Sequence, residues 1–199
     1  AVTPVDLAAA RAAGGTIKPV VSAERDASGV RAFVGPAFVP ATEPLAALGG
    51  ALNGIRLDGR YISSLFFSGP GAGPDVTAAT LLDDAAQAAV TTRTAPAPRV
   101  LADHPVFPSS PSTEWFIRLT FPGVLPAEAA ATGAAAAAGL RGARICGHSS
   151  TDSRWLFVGP HSRREIDAAI GQLAQTHRVI AAAFRNLSHP SHLSHPEKP

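Results

Sequence analysis

Along this chain, runs of alternating apolar and polar residues give way to runs of helical period and back again, which predicts short strands interleaved with helices. Val5, Leu7 and the alanines after them follow Pro4 and stop at Gly14-Gly15, a short helix over 4–13 with a glycine C-cap. Residues 16–23, with Ile17, Val20 and Val21, read as a strand, and 30–34 as a second strand after the turn Asp26-Ala27-Ser28-Gly29. Prolines at 36, 40 and 44 predict an extended or looped path over 35–44, then a short helix over 44–48 closed by Gly49-Gly50. Residues 53–57 and 63–67 pair as a hairpin about Asp58-Gly59-Arg60. A helix with Val76, Leu81, Ala85 and Ala89 along one side runs from Pro74 or Asp75 to about Thr92.

The pattern breaks at 94–112, where Pro96, Pro98, Pro105, Pro108 and Pro111 give the composition of a stiff linker. Beyond it come a strand over 114–120, an alanine helix over 126–138, strands over 142–149 and 153–158, a helix over 162–176 and a strand over 178–185. That order, βαββαβ, is the ferredoxin-like arrangement: an antiparallel sheet with two helices on one face. Ser162 followed three residues on by Glu165 is a capping box and fixes the start of the last helix. The polar, proline-rich residues 188–199 read as a disordered tail.

Composition narrows the function classes. With 17 basic and 15 acidic residues the chain is nearly neutral, so neither nucleic acid nor an anionic membrane surface is called for. One cysteine, Cys146, excludes an internal disulfide framework and suits a reducing compartment, and no apolar run is long enough to cross a membrane as a helix, so the expected location is the cytoplasm. The chain contains no methionine and starts Ala1-Val2-Thr3-Pro4, which reads as a fragment of something longer.

The candidate chemistry lies between the hairpin and the helix that follows it, in Gly69-Pro70-Gly71-Ala72-Gly73-Pro74-Asp75-Val76-Thr77. Glycines let a backbone approach a flat or anionic group, and the start of a helix offers free N–H groups and the positive end of its dipole. The spacing is not the G-x-G-x-x-G of a dinucleotide-binding turn and fits either a ligand loop or a tight turn packed on a helix. His189, His192 and His195 lie three apart in the tail without a scaffold and predict no metal site. Cys146 and His148 fall on one face of a strand, where a lone cysteine is ordinarily an apolar packer.

Taken in order, Thr16-Ile17-Lys18, residues 34–40, Glu43-Pro44-Leu45-Ala46, Asn53-Gly54-Ile55 and the phrase from Phe67 to Ala79 resemble the C-terminal half of the catalytic region of homoserine dehydrogenase. Trp115 to Leu119 followed by Phe121-Pro122-Gly123-Val124-Leu125 is similar to the ACT domain that bacterial members append. The resemblance implies an α/β (α+β) fold: a mixed-sheet part of the substrate and dimerisation domain over 1–93, the linker over 94–112, and a βαββαβ ACT-like domain over 113–187. It also implies NAD(P)-dependent interconversion of homoserine and aspartate semialdehyde, in a homodimer or homotetramer. The nucleotide-binding domain and the catalytic lysine lie outside this chain, so no catalytic residue is expected within it; Lys18 matches a structural lysine.

Carried over from the family phrase, Gly71, Ala72 and Gly73 would lie against the nicotinamide end of NAD or NADP, with Gly73 foremost, and Thr77 would contact the cofactor or cap its own helix. In the ACT-like half, Thr120 and Phe121 stand where the family has an acid that holds an effector's ammonium group. Threonine binding is therefore expected to be weakened or lost. The alternative function is a stand-alone amino-acid-binding or dimerisation module.

Overall fold

A computed structural model describes residues 1–26, 29–59, 61–90, 106–108 and 112–187. These residues divide into two compact units, one built from 1–46 with 106–108 and 112–187 and the other from 47–90.

The first unit holds one sheet. Helix α1 (Pro4–Ala12) leads into strands β1 (Gly15–Asp26) and β2 (Gly29–Pro40), which pair antiparallel along their whole length. Strand β2 therefore continues through the prolines that predicted a loop from residue 35. Pro36 falls between the part of β2 that pairs one neighbour (Val30–Ala32) and the part that pairs the next (Ala37–Phe38), so its missing N–H breaks no ladder there. Pro19, opposite Pro36, lies on an end strand of the sheet, where proline is tolerated.

The second half contributes β6 (Thr113–Thr120), α3 (Glu128–Ala137), β7 (Arg144–Ser149), β8 (Ser153–His161), α4 (Arg163–His177) and β9 (Ile180–Asn186); a three-residue strand, β5 (Val106–Pro108), precedes them. The βαββαβ order is as the periodicity predicts. In space the strands run β1-β2-β9-β6-β8-β7, with β5 beside β2. Within this, β9-β6-β8-β7 is an antiparallel ferredoxin-like sheet, and the β1–β2 hairpin extends it at β9 through a short parallel pairing, Ala37 with Arg185 and Phe38 with Asn186. The division expected within 94–112 thus separates strands that share a sheet. Most of that linker, and all of 188–199 with its histidines, lies outside the described residues.

Each face of the sheet carries a core. On one, Trp115, Ile117, Leu119, Leu156 and Val158 pack with Ala135, Leu140, Ile166, Ala169 and Leu173 under α3 and α4. On the other, Phe38, Phe116, Trp155, Phe157 and Phe184 pack with Ala9 and Ala10 of α1. Strand alternation sends Trp115, Ile117 and Leu119 one way and Phe116 the other, which is how one strand serves both.

Helix α4 starts as its capping box dictates. The Ser162 hydroxyl accepts from the Glu165 N–H at 3.3 Å, and the Glu165 carboxylate accepts from the Ser162 N–H at 2.7 Å and its hydroxyl at 2.8 Å. These bonds hold the Glu165 carboxyl below the usual glutamate range, the Ser162 N–H contributing most. A depressed folded-state value means the capping contribution is complete above the unfolded value of about 4.3 and is lost as pH falls through the folded one. Ser162→Ala is expected to cost about 1 kcal/mol at neutral pH, with the deficit shrinking as acid protonates Glu165; denaturant titrations at pH 7 and pH 3 check both.

The second unit, in its described part, is a two-stranded antiparallel ribbon, β3 (Leu52–Gly59) and β4 (Ser63–Pro70), followed by α2 (Pro74–Val90). None of the residues of α2 is buried. In the ribbon, Ile55 stands opposite Phe67 and Leu57 opposite Leu65, and this apolar face is exposed, Ile55 by 62 % and Phe67 by 56 %.

Candidate functional site

The loop between β4 and α2 is where the glycines act. Strand β4 ends at Pro70, and the next N–H, that of Gly71, donates to the carbonyl of Ala51 at 2.8 Å, tying the loop to the start of β3. Gly73 then turns at φ +128°, in a region that side-chain-bearing residues rarely enter, and Pro74 takes the first position of α2. The Gly73 carbonyl accepts from the Thr77 N–H at 3.1 Å and from its hydroxyl at 2.8 Å. Thr77 is thus engaged within its own helix.

Space around the glycines differs. A Cβ added at Gly73 or Gly69 would meet nothing, while one at Gly71 would run into the side chain of Asn53. Asn53 pairs with Gly69 across the ribbon, so the phrase Asn53-Gly54-Ile55 and the glycine phrase, far apart in sequence, meet here. Asn53 is the residue that the sequence reading did not name as a site residue; its signal was its place in that first phrase. A Cβ at Gly54 would press on the end of the Leu48 side chain and on the Phe66 ring.

Chemically, this is an exposed edge of bare backbone beside a carboxamide. Asp75 adds a negative charge to the first turn of α2, which opposes a phosphate at the helix start and leaves a flat, uncharged group as the better fit. Among the described residues no cluster of three or more His, Cys, Asp or Glu is arranged to hold a metal ion. No helix among them is long and apolar enough to cross a membrane.

The other candidates sit in the first unit. Trp115 and Trp155 are buried, and each indole N–H has a partner: His161 O at 2.8 Å and Asp6 Oδ1 at 3.1 Å. Cys146 packs at the edge of the aromatic core; the side chain of His148 lies outside the described residues. At the end of β6, the hydroxyls of Thr120 and Ser153 lie 2.9 Å apart, Ser153 donates to Asp152 at 2.8 Å, and the Phe121 N–H donates to the Asp152 carbonyl at 2.8 Å. Hydrogen bonds from Ser153 and Ser150 hold the Asp152 carboxyl below its usual range.

Residues 1–85, which include the glycine loop, match the family model described as homoserine dehydrogenase. A homoserine dehydrogenase of Mycobacterium tuberculosis is 36 % identical over 141 residues, covering 65 % of this chain and 32 % of the relative. One from Pseudomonas aeruginosa is 29 % identical over 136 residues, covering 62 % and 31 %. The chain therefore spans about a third of the length of these curated relatives. Among solved structures, a homoserine dehydrogenase from Thiobacillus denitrificans superposes with a TM-score of 0.65 at 24 % identity, over 93 % of this chain and 45 % of that one. One from S. aureus gives 0.62 at 17 % identity. At such identities the superpositions establish the mixed α/β fold.

Proposed function

We propose, from the premise that the chain is a partial homologue of homoserine dehydrogenase, that it forms the C-terminal part of such an oxidoreductase, acting in threonine and methionine biosynthesis. The reaction is the NAD(P)-dependent interconversion of L-homoserine and L-aspartate 4-semialdehyde in the cytoplasm. The observation that carries this reading is the match over residues 1–85, because it contains the loop Gly71-Ala72-Gly73 at a strand-to-helix junction. Bound NAD(P) supplies the hydride acceptor or donor. In this chain Gly71, Ala72 and Gly73 form the bare wall against its nicotinamide end, and Thr77 holds the turn through the Gly73 carbonyl. The lysine that manages the proton and the fold that binds the rest of the nucleotide belong outside these residues, so the chain alone is inactive.

Two exposed surfaces support a missing neighbour. No residue of helix α2 is fully buried, and the Ile55, Leu57, Leu65 and Phe67 face of the ribbon is open; apolar faces of this extent ordinarily meet other protein. The nucleotide-binding part and a second copy of the chain are the partners proposed for them. Isolating the native polypeptide that contains these residues, and assaying NAD(P)-linked homoserine oxidation, tests the reading. Activity in a species larger than 20.3 kDa supports it; an inert species of 20.3 kDa overturns it.

The second reading, an ACT-type amino-acid-binding or dimerisation module, is favoured by the βαββαβ half having a core of its own. In that half the Thr120, Ser153 and Asp152 side chains are committed to one another. Calorimetric titration of the chain with threonine is expected to give no saturable heat, and clear binding favours the module.

A further inference from the structure

Away from the glycine loop, the carboxylate of Asp6 in α1 has no relation to the proposed chemistry, yet it is fully buried (0 % exposed). Its Oδ2 accepts from the Thr3 N–H at 2.8 Å, the Thr3 hydroxyl at 2.7 Å and Arg118 Nη1 at 2.8 Å. Its Oδ1 accepts from the Trp155 indole N–H at 3.1 Å. Arg118 Nη1 also donates to the Thr3 hydroxyl at 2.8 Å. Arg118 belongs to β6 and Trp155 to β8, so one side chain from the start of the sequence is met by two strands of the βαββαβ half.

Few large apolar side chains of α1 itself reach the sheet. Ala9 and Ala10 are buried and Leu7 is partly so, while Val5 is exposed. A helix that brings mostly methyl groups to a core is fixed largely by its polar contacts, and a buried ion pair that loses one partner leaves the other uncompensated.

We infer that α1 is a latch on the sheet, locked by the Asp6 carboxylate, and that it undocks as a unit, ahead of the rest of the fold, when the lock is weakened. Beneath it lie Phe116, Trp155 and Phe157, next to Phe38 and Phe184, so undocking uncovers a continuous aromatic surface. The lock also shares a strand with the Thr120–Ser153–Asp152 cluster, since Arg118 stands two residues before Thr120. This inference stands on the fold and does not depend on the proposed activity.

Amide hydrogen exchange on the 199-residue chain, wild type against Asp6→Asn, tests it. The latch predicts that amides of α1 exchange at least about tenfold faster in the variant, while those of α3 and α4 stay within about twofold of wild type. If Asp6→Asn does not fold, Thr3→Val, which removes only the hydroxyl from the cluster, takes its place with the same expectation. Equal acceleration in α1 and α4, or none in α1, overturns the inference.

Discussion

Replacing Phe116 by alanine is expected to cost about 3–5 kcal/mol, a large share of the about 5–15 kcal/mol that holds a domain folded. The ring is fully buried and is the hub of the aromatic face, with centroids 5.0 Å from Phe38, 5.2 Å from Phe157 and 6.3 Å from Phe184. Those partners come from β2, β8 and β9, so the cavity would open between the first 46 residues and the βαββαβ half at once. Close packing transmits such a loss because neighbours relax only in part. Urea titrations followed by tryptophan fluorescence, which reports β6 and β8, and by hydrogen exchange in β1 and β2 should shift by the same amount. A shift in the first with β1 and β2 unmoved would mean that the hairpin folds independently of the sheet it extends.

The second large effect is expected at Gly73. A valine there raises the Michaelis constant for NAD(P) of the complete enzyme by about tenfold or more, which corresponds to about 1.4 kcal/mol of lost cofactor interaction. The φ of +128° carries a second effect: a β-branched residue in this conformation adds about 1–3 kcal/mol of strain, so thermal stability has to be followed alongside kinetics. Gly69→Ala supplies the comparison, because its added Cβ meets nothing and its backbone is ordinary. A stable Gly73→Val enzyme with an unchanged Michaelis constant would remove this loop from the cofactor site.

Much of this architecture is legible in the residues, and what is not has identifiable causes. The hairpin over 52–70, the helix after the glycines and the βαββαβ order all follow from local signals: Asp58-Gly59, Pro74 at a helix start, the Ser162–Glu165 box. The residue pattern ends β2 at Val34 because prolines ordinarily end a ladder, and only the gap in its pairing between Ala32 and Ala37 shows why they do not here. The joining of the first hairpin to the second half depends on contacts more than a hundred residues apart, such as Ala37 with Arg185 and Phe38 with Asn186, which no local period encodes. Thr3-x-x-Asp6 before an apolar run does carry the pattern of a helix start, so the position of Asp6 was readable though its burial was not. At the candidate site, the glycine phrase marks the loop, but the role of Asn53 emerges only when β3 and β4 pair.

The account as a whole is tested most directly by a chimera in which this chain replaces the matching third of the Mycobacterium tuberculosis homoserine dehydrogenase, assayed for NAD(P)-dependent oxidation of L-homoserine. The proposed function predicts a folded chimera with turnover and no turnover from the 199-residue chain by itself. A soluble, cooperatively folded chimera that leaves homoserine and NAD(P) untouched would contradict it.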